Sequence, residues 1–214
     1  MTELNGTLPA NTEVNVSVEG GKVDVKISTQ KERFAIIDIE TGGFHKTKNG
    51  LCEIGLLIID EDGKIYEALN WLIRPYRRRD PDTKEILEEL VSYKDDAMKI
   101  NGLSEDLLRK HGADAGLVCA AFEALLRFHR VKKAVGHNIK SFDNLWIEEF
   151  TDRFGKGFKF EELIDTKEIA KEKLKYIANH KLETLCAHFK VTNKEAHRAL
   201  GDCHATKEIY FKLR

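Results

Sequence analysis

Apolar and polar residues alternate in two short stretches near the beginning of the chain, separated by Gly20-Gly21. The alternating apolar residues are Val14, Val16 and Val18 before the glycines and Val23, Val25 and Ile27 after them. A two-residue turn at the glycines pairs Val18 with Val23 and puts all these side chains on one face of a β-hairpin. Because an isolated hairpin is only marginally stable, its apolar face must cover either the main domain or a partner. We therefore predict that residues 1–30 form an N-terminal appendage.

A nearly continuous apolar run at residues 34–37 ends in Asp38, which predicts a central strand that is buried on both faces. Two further strand candidates, Cys52–Ile59 and Ile65–Ile73, flank a segment rich in turn-forming residues. They are predicted to form a hairpin that extends the same sheet. The main domain is therefore predicted to span residues 31–214.

Helical spacing of apolar residues begins beyond Pro75. The dipeptide Asp80-Pro81 offers a cap and a first helical position, and predicts a helix that carries the apolar residues at 86, 87 and 90. Ser104 is the predicted N-cap of a second helix, which ends at Gly112. A longer helical stripe follows from Leu117 up to Arg130.

The last third of the chain alternates short strand candidates with helices. The predicted elements are a strand at Lys133–Gly136, a helix capped by Ser141 that runs to Phe150, a strand end at Ile164–Thr166, and helices at Leu182–Phe189 and from Ala199 to the end of the chain. Elements in the order β-β-β-α-β-α-α favour an α/β fold, in which a mixed β-sheet is flanked by helices.

Length and composition agree with one globular domain that carries an appendage. The chain has 214 residues, of which 42% are hydrophobic and 33% are charged, so it can bury a core and keep a solvated surface. Lys and Arg number 35 against 36 Asp and Glu, for a net charge of -1. This balance excludes the overall basic footprint of many nucleic-acid-binding proteins, so any such binding must be local.

Cysteine spacing and hydropathy bear on the compartment. The cysteines at 52, 119, 186 and 203 are scattered and form no C-x-x-C pair, which favours reduced thiols over a disulfide framework or a zinc site. No apolar run approaches the roughly 20 residues of a membrane span. We therefore expect a cytoplasmic protein without a membrane partner.

The first candidate for chemistry is the pair of acids at the end of the predicted central strand. Asp38 and Glu40 lie two residues apart, so their side chains leave the same face, separated by two strand rises of ~3.3 Å. Two acids on one face at the edge of a sheet need a cation, and open α/β sheets keep their ligands at such edges. Strands often end in solvated acids, however, so this pair alone does not define a metal site.

Two later segments add further candidates. Asp143 lies in the first turn of a predicted helix directly after a strand, a position where acids also occur because they complement the helix dipole. His197 and Asp202 are five residues apart, about 140° on a helix, and cannot share a face if both are helical. His197 is therefore placed on the approach to the last helix, where it could meet a water molecule. His204 is one further histidine nearby with no such assignment.

Together these segments resemble the signature of a known enzyme family. The motifs are D-x-E at Asp38–Glu40, G-H-N-x-x-x-F-D at 136–143 and H-x-x-x-x-D at 197–202, with supporting pieces at 38–43, 100–104, 164–166 and 182–185. Over roughly Arg33 to Arg214, the chain resembles the DEDDh group of 3'-5' exonucleases, the DnaQ-like proofreading family. The resemblance implies a ribonuclease H-like fold.

The resemblance also implies roles for individual residues. Asp38, Glu40, Asp143 and Asp202 would hold two divalent ions, Mg²⁺ or Mn²⁺, and His197 would be the general base. Phe44 would wedge against the 3'-terminal base and Gly43 would approach the terminal hydroxyl, with Thr41 and Asn138 as further substrate contacts. Four carboxylates and a histidine suit phosphodiester hydrolysis, which needs charge neutralisation on the attacking and leaving oxygens.

The expected partner is a nucleic acid with a free 3' end, chiefly single-stranded DNA, with a polymerase as a second expected partner. The Arg77-Arg78-Arg79 cluster beside Tyr76 fits either an electrostatic track for the strand or an exposed turn. Two alternatives remain open at the level of sequence. One is an RNA-directed exonuclease of the same family, such as an oligoribonuclease or a ribonuclease T-like enzyme, and the other is a catalytically silent nucleic-acid-binding module that accompanies a polymerase.

Overall fold

The computed structural model describes residues 12–29 and 31–214, and chain contacts separate two units between Glu32 and Arg33. The first unit is a hairpin of β1 (Thr12–Glu19) and β2 (Lys22–Thr29). Its register pairs Val18 with Val23, which confirms the predicted two-residue turn at the glycines. Both glycines have positive φ, a conformation that such a turn requires.

The second unit contains seven strands and seven helices. The strands are β3 (Arg33–Thr41), β4 (Leu51–Asp60), β5 (Ile65–Leu72), β6 (Arg77–Arg79), β7 (Ile86–Leu90), β8 (Lys133–Gly136) and β9 (Glu162–Asp165). The helices are α1 (Asp95–Asn101), α2 (Glu105–His111), α3 (Ala115–Phe128), α4 (Asp143–Phe154), α5 (Thr166–Lys173), α6 (Leu182–Phe189) and α7 (Ala199–Leu213).

The central sheet has the strand order β5-β4-β3-β8-β9. β3 pairs antiparallel with β4 and parallel with β8, so the sheet is mixed, as predicted. The parallel pairing of β3 with β8 is short and comprises Ala35 with Ala134 and Ile36 with Val135. Every residue of β4 is buried, which is the environment expected for the apolar sequence of a central strand.

Alternate residues of β3 pack against helices on opposite faces of the sheet. Ala35, Ile37 and Ile39 join the larger core cluster with residues of α3 and α4. Phe34 and Ile36 face the other side and cluster with Cys203 of α7. Burial on both faces fixes the register of β3, and therefore fixes which edge of the sheet receives the acids that follow Ile37.

The segment after Pro75 differs from the sequence-based prediction. The helix predicted over Ile86, Leu87 and Leu90 is wrong, because these residues form β7, paired antiparallel with β6. Asp80 does cap, but its carboxylate accepts hydrogen bonds from the Asp82 and Thr83 N–H groups inside a turn. Asp-Pro starts turns as well as helices. Ile86 and Leu90 are exposed, so the segment has no buried apolar stripe of the kind that stabilises a helix.

The other predicted elements are present, but α1 and α5 were not predicted, and Thr166, predicted at a strand end, begins α5. Ser104 accepts a hydrogen bond from the Leu107 N–H, which confirms it as the N-cap of α2. Ser141 is not the cap of α4, because Phe142 occupies that position without a side-chain cap bond. All four cysteines are buried free thiols. Across residues 12–29 and 31–214, the helices are all too short or too polar to cross a bilayer.

Candidate active site

Three acids from two elements meet at one edge of the central sheet. Asp38 and Glu40 come from the end of β3, and Asp202 comes from the first turn of α7. One carboxylate oxygen from each residue lies within 4.8 Å of the others. The two-residue spacing on the strand therefore does place Asp38 and Glu40 on the same side, and α7 adds the third acid.

The protonation of these acids reflects their crowding. Burial raises the pKa of Asp38 well above its ordinary range, and the charges of Asp143 and Asp202 raise it further. Burial, followed by the charges of Asp202 and Glu53, raises the pKa of Glu40 to about 8. The pKa of Asp202 is also raised, chiefly by burial. Without a cation, the cluster therefore holds protons near neutral pH, because so many carboxylates cannot ionise together in a buried site.

Asp143 lies next to this cluster and is anchored by the backbone of β3. It occupies the first residue of α4 and is buried, and its Oδ1 accepts a hydrogen bond from the Ile39 N–H at 3.2 Å. Burial raises the pKa of Asp143 to about 7, although the backbone hydrogen bonds oppose the shift. The charge of Asp143 acts on Asp38, so the fourth acid of the sequence motif shares the field of the other three.

His197 lies outside helix α7, as the five-residue spacing to Asp202 predicts. Its backbone has φ +63°, and its N–H donates to Asp202 Oδ2 at 3.1 Å. The imidazole is exposed and lines a cavity of about 490 Å³ together with Asp38 and Asp202. His204 lies within α7 and is exposed, and it does not line this cavity. The structure therefore brings His197 to the acids by a turn in the chain.

A second cavity, of about 340 Å³, opens on the acids at Glu40 and is lined mainly by apolar side chains. Phe44 is 81% exposed at its rim and meets Phe142 edge-on, with ring centroids 6.3 Å apart. Thr41 and Gly43 line the same cavity, and the Thr41 hydroxyl donates to the Gly43 carbonyl at 2.8 Å. Gly43 has φ +151°, and a Cβ there would lie 2.5 Å from Asn49 Oδ1. Only glycine fits this position without strain.

Asn138 is held by contacts within the loop between β8 and α4. It has φ +73°, its N–H donates to Asp165 Oδ1 at 3.0 Å, and its side-chain oxygen accepts from Lys167 Nζ at 3.1 Å. These contacts give Asn138 a part in shaping the loop that leads to Asp143. They do not by themselves direct its side chain toward the cavity beside Phe44.

The sequence of the chain matches a known family of exonucleases. The sequence profile of the exonuclease family RNase_T matches residues 35–210, which include all of the acids and the histidine described above. The chain belongs to this exonuclease family. The match begins inside β3 and ends inside α7, so the part of the chain that carries the family pattern is the second unit.

Curated relatives of the chain include polymerases. The DNA polymerase III PolC-type of Caldanaerobacter subterraneus subsp. tengcongensis is 26% identical over 180 residues, which cover 84% of this chain and 11% of the relative. The PolC-type polymerase of Halalkalibacterium halodurans is 27% identical over 180 residues, which again cover 84% of this chain and 11% of the relative. The chain thus spans about a tenth of the length of these relatives.

Solved structures confirm the fold of the chain. Escherichia coli Exonuclease I in complex with a dT13 oligonucleotide superimposes with a TM-score of 0.68 at 16% identity, over 84% of this chain and 40% of that one. A product-bound structure of exonuclease I gives a TM-score of 0.68 at 17% identity, over 86% and 43%. The predicted ribonuclease H-like mixed sheet flanked by helices is therefore confirmed.

The donor set of the acid cluster fits hard divalent cations. The grouped ligand atoms are carboxylate oxygens, which favour Mg²⁺ or Mn²⁺, and no sulfur or imidazole atom belongs to the group among the described residues. The raised pKa values of Glu40 and Asp143 point the same way, since a cation would offset the repulsion that holds protons there. The residues present therefore fit a divalent metal site.

Sequence reasoning missed Glu53, which lies on β4 directly opposite Glu40. Glu53 is fully buried and forms an ion pair with Arg198, the residue that follows His197. The only signal in the sequence is an acid within the apolar run Leu51–Ile59, where an unpaired charge would be costly.

Proposed function

We propose that this protein is a 3'-5' exonuclease that removes nucleoside 5'-monophosphates from single-stranded or frayed 3' ends of DNA. The observation that carries the proposal is the meeting of three carboxylates within 4.8 Å beside a cavity rimmed by Phe44 and Phe142. The acids suit a phosphodiester group, and the aromatic rim suits the base of the nucleotide that bears it. Membership of the exonuclease family supports this assignment.

The substrate end is proposed to lie in the cavity beside Phe44. The terminal base would stack against Phe44 and Phe142, and stacking on aromatic rings tolerates any base. The terminal hydroxyl would meet the backbone at Gly43, where the missing Cβ permits close approach. An exposed wedge such as Phe44 favours unpaired ends, because a paired base would have to leave its stack.

Hydrolysis would join the oxygen of a water molecule to the phosphorus of the last phosphodiester and break its bond to the 3' oxygen of the preceding nucleotide. Asp38, Glu40, Asp143 and Asp202 would hold two divalent ions, which neutralise charge on the attacking and leaving oxygens. His197 would accept the proton that the attacking water loses, since its exposed imidazole lines the cavity that Asp38 and Asp202 share. The leaving 3' oxygen takes up a proton from solvent and becomes the 3' hydroxyl of the shortened strand.

DNA is proposed as the substrate because of the kind of relatives that the chain has. The PolC-type relatives are DNA polymerases, and Exonuclease I has been solved with dT13. A polymerase is accordingly proposed as a partner. The arginine cluster is not proposed as a strand track, because Arg78 pairs with Glu89 and Arg79 Nε donates to the Lys84 carbonyl within the β6–β7 hairpin.

The proposed function is tested by following product lengths over time. Single-stranded DNA, duplex DNA and RNA of one sequence, labelled at either end, are incubated with Mg²⁺ or with a chelator. We expect 5'-labelled DNA to shorten one nucleotide at a time with Mg²⁺ only, and single strands to be cut faster than duplex. Faster cutting of RNA would reassign the substrate, and binding without hydrolysis in Mg²⁺ or Mn²⁺ would indicate a silent module.

Removal of residues 1–30 is expected to leave this activity largely intact. We propose that these residues are a separate appendage, which is supported by the division of contacts between Glu32 and Arg33. Every residue of the candidate site lies beyond that point. The check is the specific activity of the truncated protein, with circular dichroism to establish folding. A folded truncation without hydrolysis would make the appendage part of the active site.

A further inference from the structure

Glu53 is a buried carboxylate with an unusually complete set of hydrogen-bond donors. Its side chain has 0% exposure and accepts from Arg198 Nη2 at 2.7 Å, from Arg198 Nε at 3.1 and 3.2 Å, and from the Ala199 N–H at 3.2 Å. Asn70 Nδ2 on β5 donates to it as well. A buried ion is tolerated only when it is paired and bonded in this way. The network therefore ties β4 and β5 to the chain around Arg198.

The residues that Glu53 holds are the first ones of helix α7. Arg198 is the N-cap residue, but its own side chain makes no cap bond, and Ala199 carries the first helical N–H. Glu53 thus caps α7 from another element, where its negative charge also complements the helix dipole. Gly55, two residues along the same face of β4, allows backbone contact here, because a Cβ would lie 2.4 Å from the Ala199 carbonyl carbon.

His197 sits immediately before this anchored point in a conformation that needs support. A positive φ of +63° is strained for a residue with a side chain and persists only where the surroundings fix it. The backbone N–H of His197 is held by Asp202, and the following residue is held by Glu53, whereas the imidazole itself is exposed. The backbone clamp therefore fixes the point on the main chain from which the imidazole extends.

We propose that Glu53 and Arg198 are positioning residues for His197: the Glu53–Arg198 clamp holds the imidazole over the acids while touching neither substrate nor metal. The inference deepens the proposed function, since it assumes that His197 accepts the proton. It differs from a general stabilising role in one respect. A clamp that acts through His197 has nothing left to position once the imidazole is removed.

The test is a double-mutant cycle between Arg198→Gln and His197→Ala, measured as kcat and KM on single-stranded DNA with Mg²⁺. The side chain of Arg198 is 43% exposed, so its replacement opens no cavity in the core; it does remove the counter-ion of the buried Glu53, which keeps Asn70 and the Ala199 N–H as donors. We expect Arg198→Gln to lower kcat about 10- to 100-fold with KM changed less than about threefold, and to lower it less than about twofold in the His197→Ala background. Equal losses in both backgrounds would overturn the proposal.

Two further variants and one control complete the design. Arg198→Lys, which keeps the charge but loses the two-pronged contact, should recover part of the lost rate. Glu53→Gln keeps the shape and one acceptor, and should lower kcat in the same direction. Arg109→Gln breaks the exposed pair with Glu105 on α2 and should change nothing. Mn²⁺ affinity, measured by calorimetry, should stay unchanged in Arg198→Gln. A drop would overturn the proposal, because the clamp would then position the metal ligand Asp202 and not His197.

Hydrogen exchange separates this inference from the proposed function. In Arg198→Gln, we expect the amides of residues 195–200 to exchange at least about tenfold faster than in the unmodified protein, whereas those of β3 keep their protection. Unchanged exchange in this segment would overturn the clamp whatever the activity. If the unmodified protein cuts no nucleic acid, the proposed function fails, and a faster-exchanging segment still supports the clamp on the His197 backbone.

Discussion

Asp38→Asn and Asp202→Asn should each lower hydrolysis by at least about 10³-fold while the protein still binds single-stranded DNA. Each substitution removes a carboxylate from a metal site, and such sites supply several kcal/mol of transition-state stabilisation, with each ~1.4 kcal/mol worth tenfold in rate. Binding survives in part because Phe44 and the cavity beside it are untouched. Single-turnover rates and fluorescence anisotropy measure the two effects.

The double variant should be hardly slower than either single one, because ligands of one metal site act as a unit. The metal-free Asp38→Asn protein should also melt at a higher temperature, because the pKa of Asp38 is raised by burial and by neighbouring acids, and the amide removes that repulsion. Asp60→Asn is the control for the hydrolysis rate and should leave it unchanged, since Asp60 is buried in a turn at the far end of β4, away from the acid cluster. Modest and strictly additive losses would contradict a shared metal site.

His197→Ala should lower kcat by about 10² to 10⁴, the contribution of a positioned acid-base group, and should remove the acidic limb of the rate profile. A protonated imidazole cannot accept a proton from water, so the rate of the unmodified protein should fall as the pH decreases. The measurement is kcat from pH 5 to 9 in excess Mg²⁺.

His204→Ala is the matched control, because His204 lies two residues after Asp202 on an exposed part of α7. It should leave both the rate and the pH profile as they are. A larger loss in His204→Ala than in His197→Ala, or an acidic limb that persists without His197, would refute the assignment of the base. The metal site would stand in either event.

The sequence was informative where a residue's role follows from its neighbours in the chain. Asp38 and Glu40 could be assigned to one face because a strand has a period of two. His197 could be placed outside α7 because two helical residues five positions apart lie about 140° from each other around the helix. The hairpin register followed from alternating valines around two glycines. Each of these conclusions depends on local geometry alone.

The sequence was uninformative where the role depends on residues far away in the chain. Glu53 owes its function to Arg198, a partner 145 residues later, and looks like an anomalous acid in an apolar strand. Asp143 in a first helical turn looked like any dipole-complementing acid until Ile39 was seen to donate to it. The Asp80-Pro81 signal fits a turn as well as a helix, and packing decided for the β6–β7 hairpin.

The short pairing between β3 and β8 makes room for Asp143 beside the other acids. The two strands form only two residue pairs, so the backbone of β3 beyond Ile36 is released on that side. The Ile39 N–H is then available to Asp143, which arrives from α4. One backbone hydrogen cannot serve both a neighbouring strand and a carboxylate. Asp143 thus takes the hydrogen-bonding position that a longer β8 would fill, and a longer parallel pairing of β3 with β8 would exclude it.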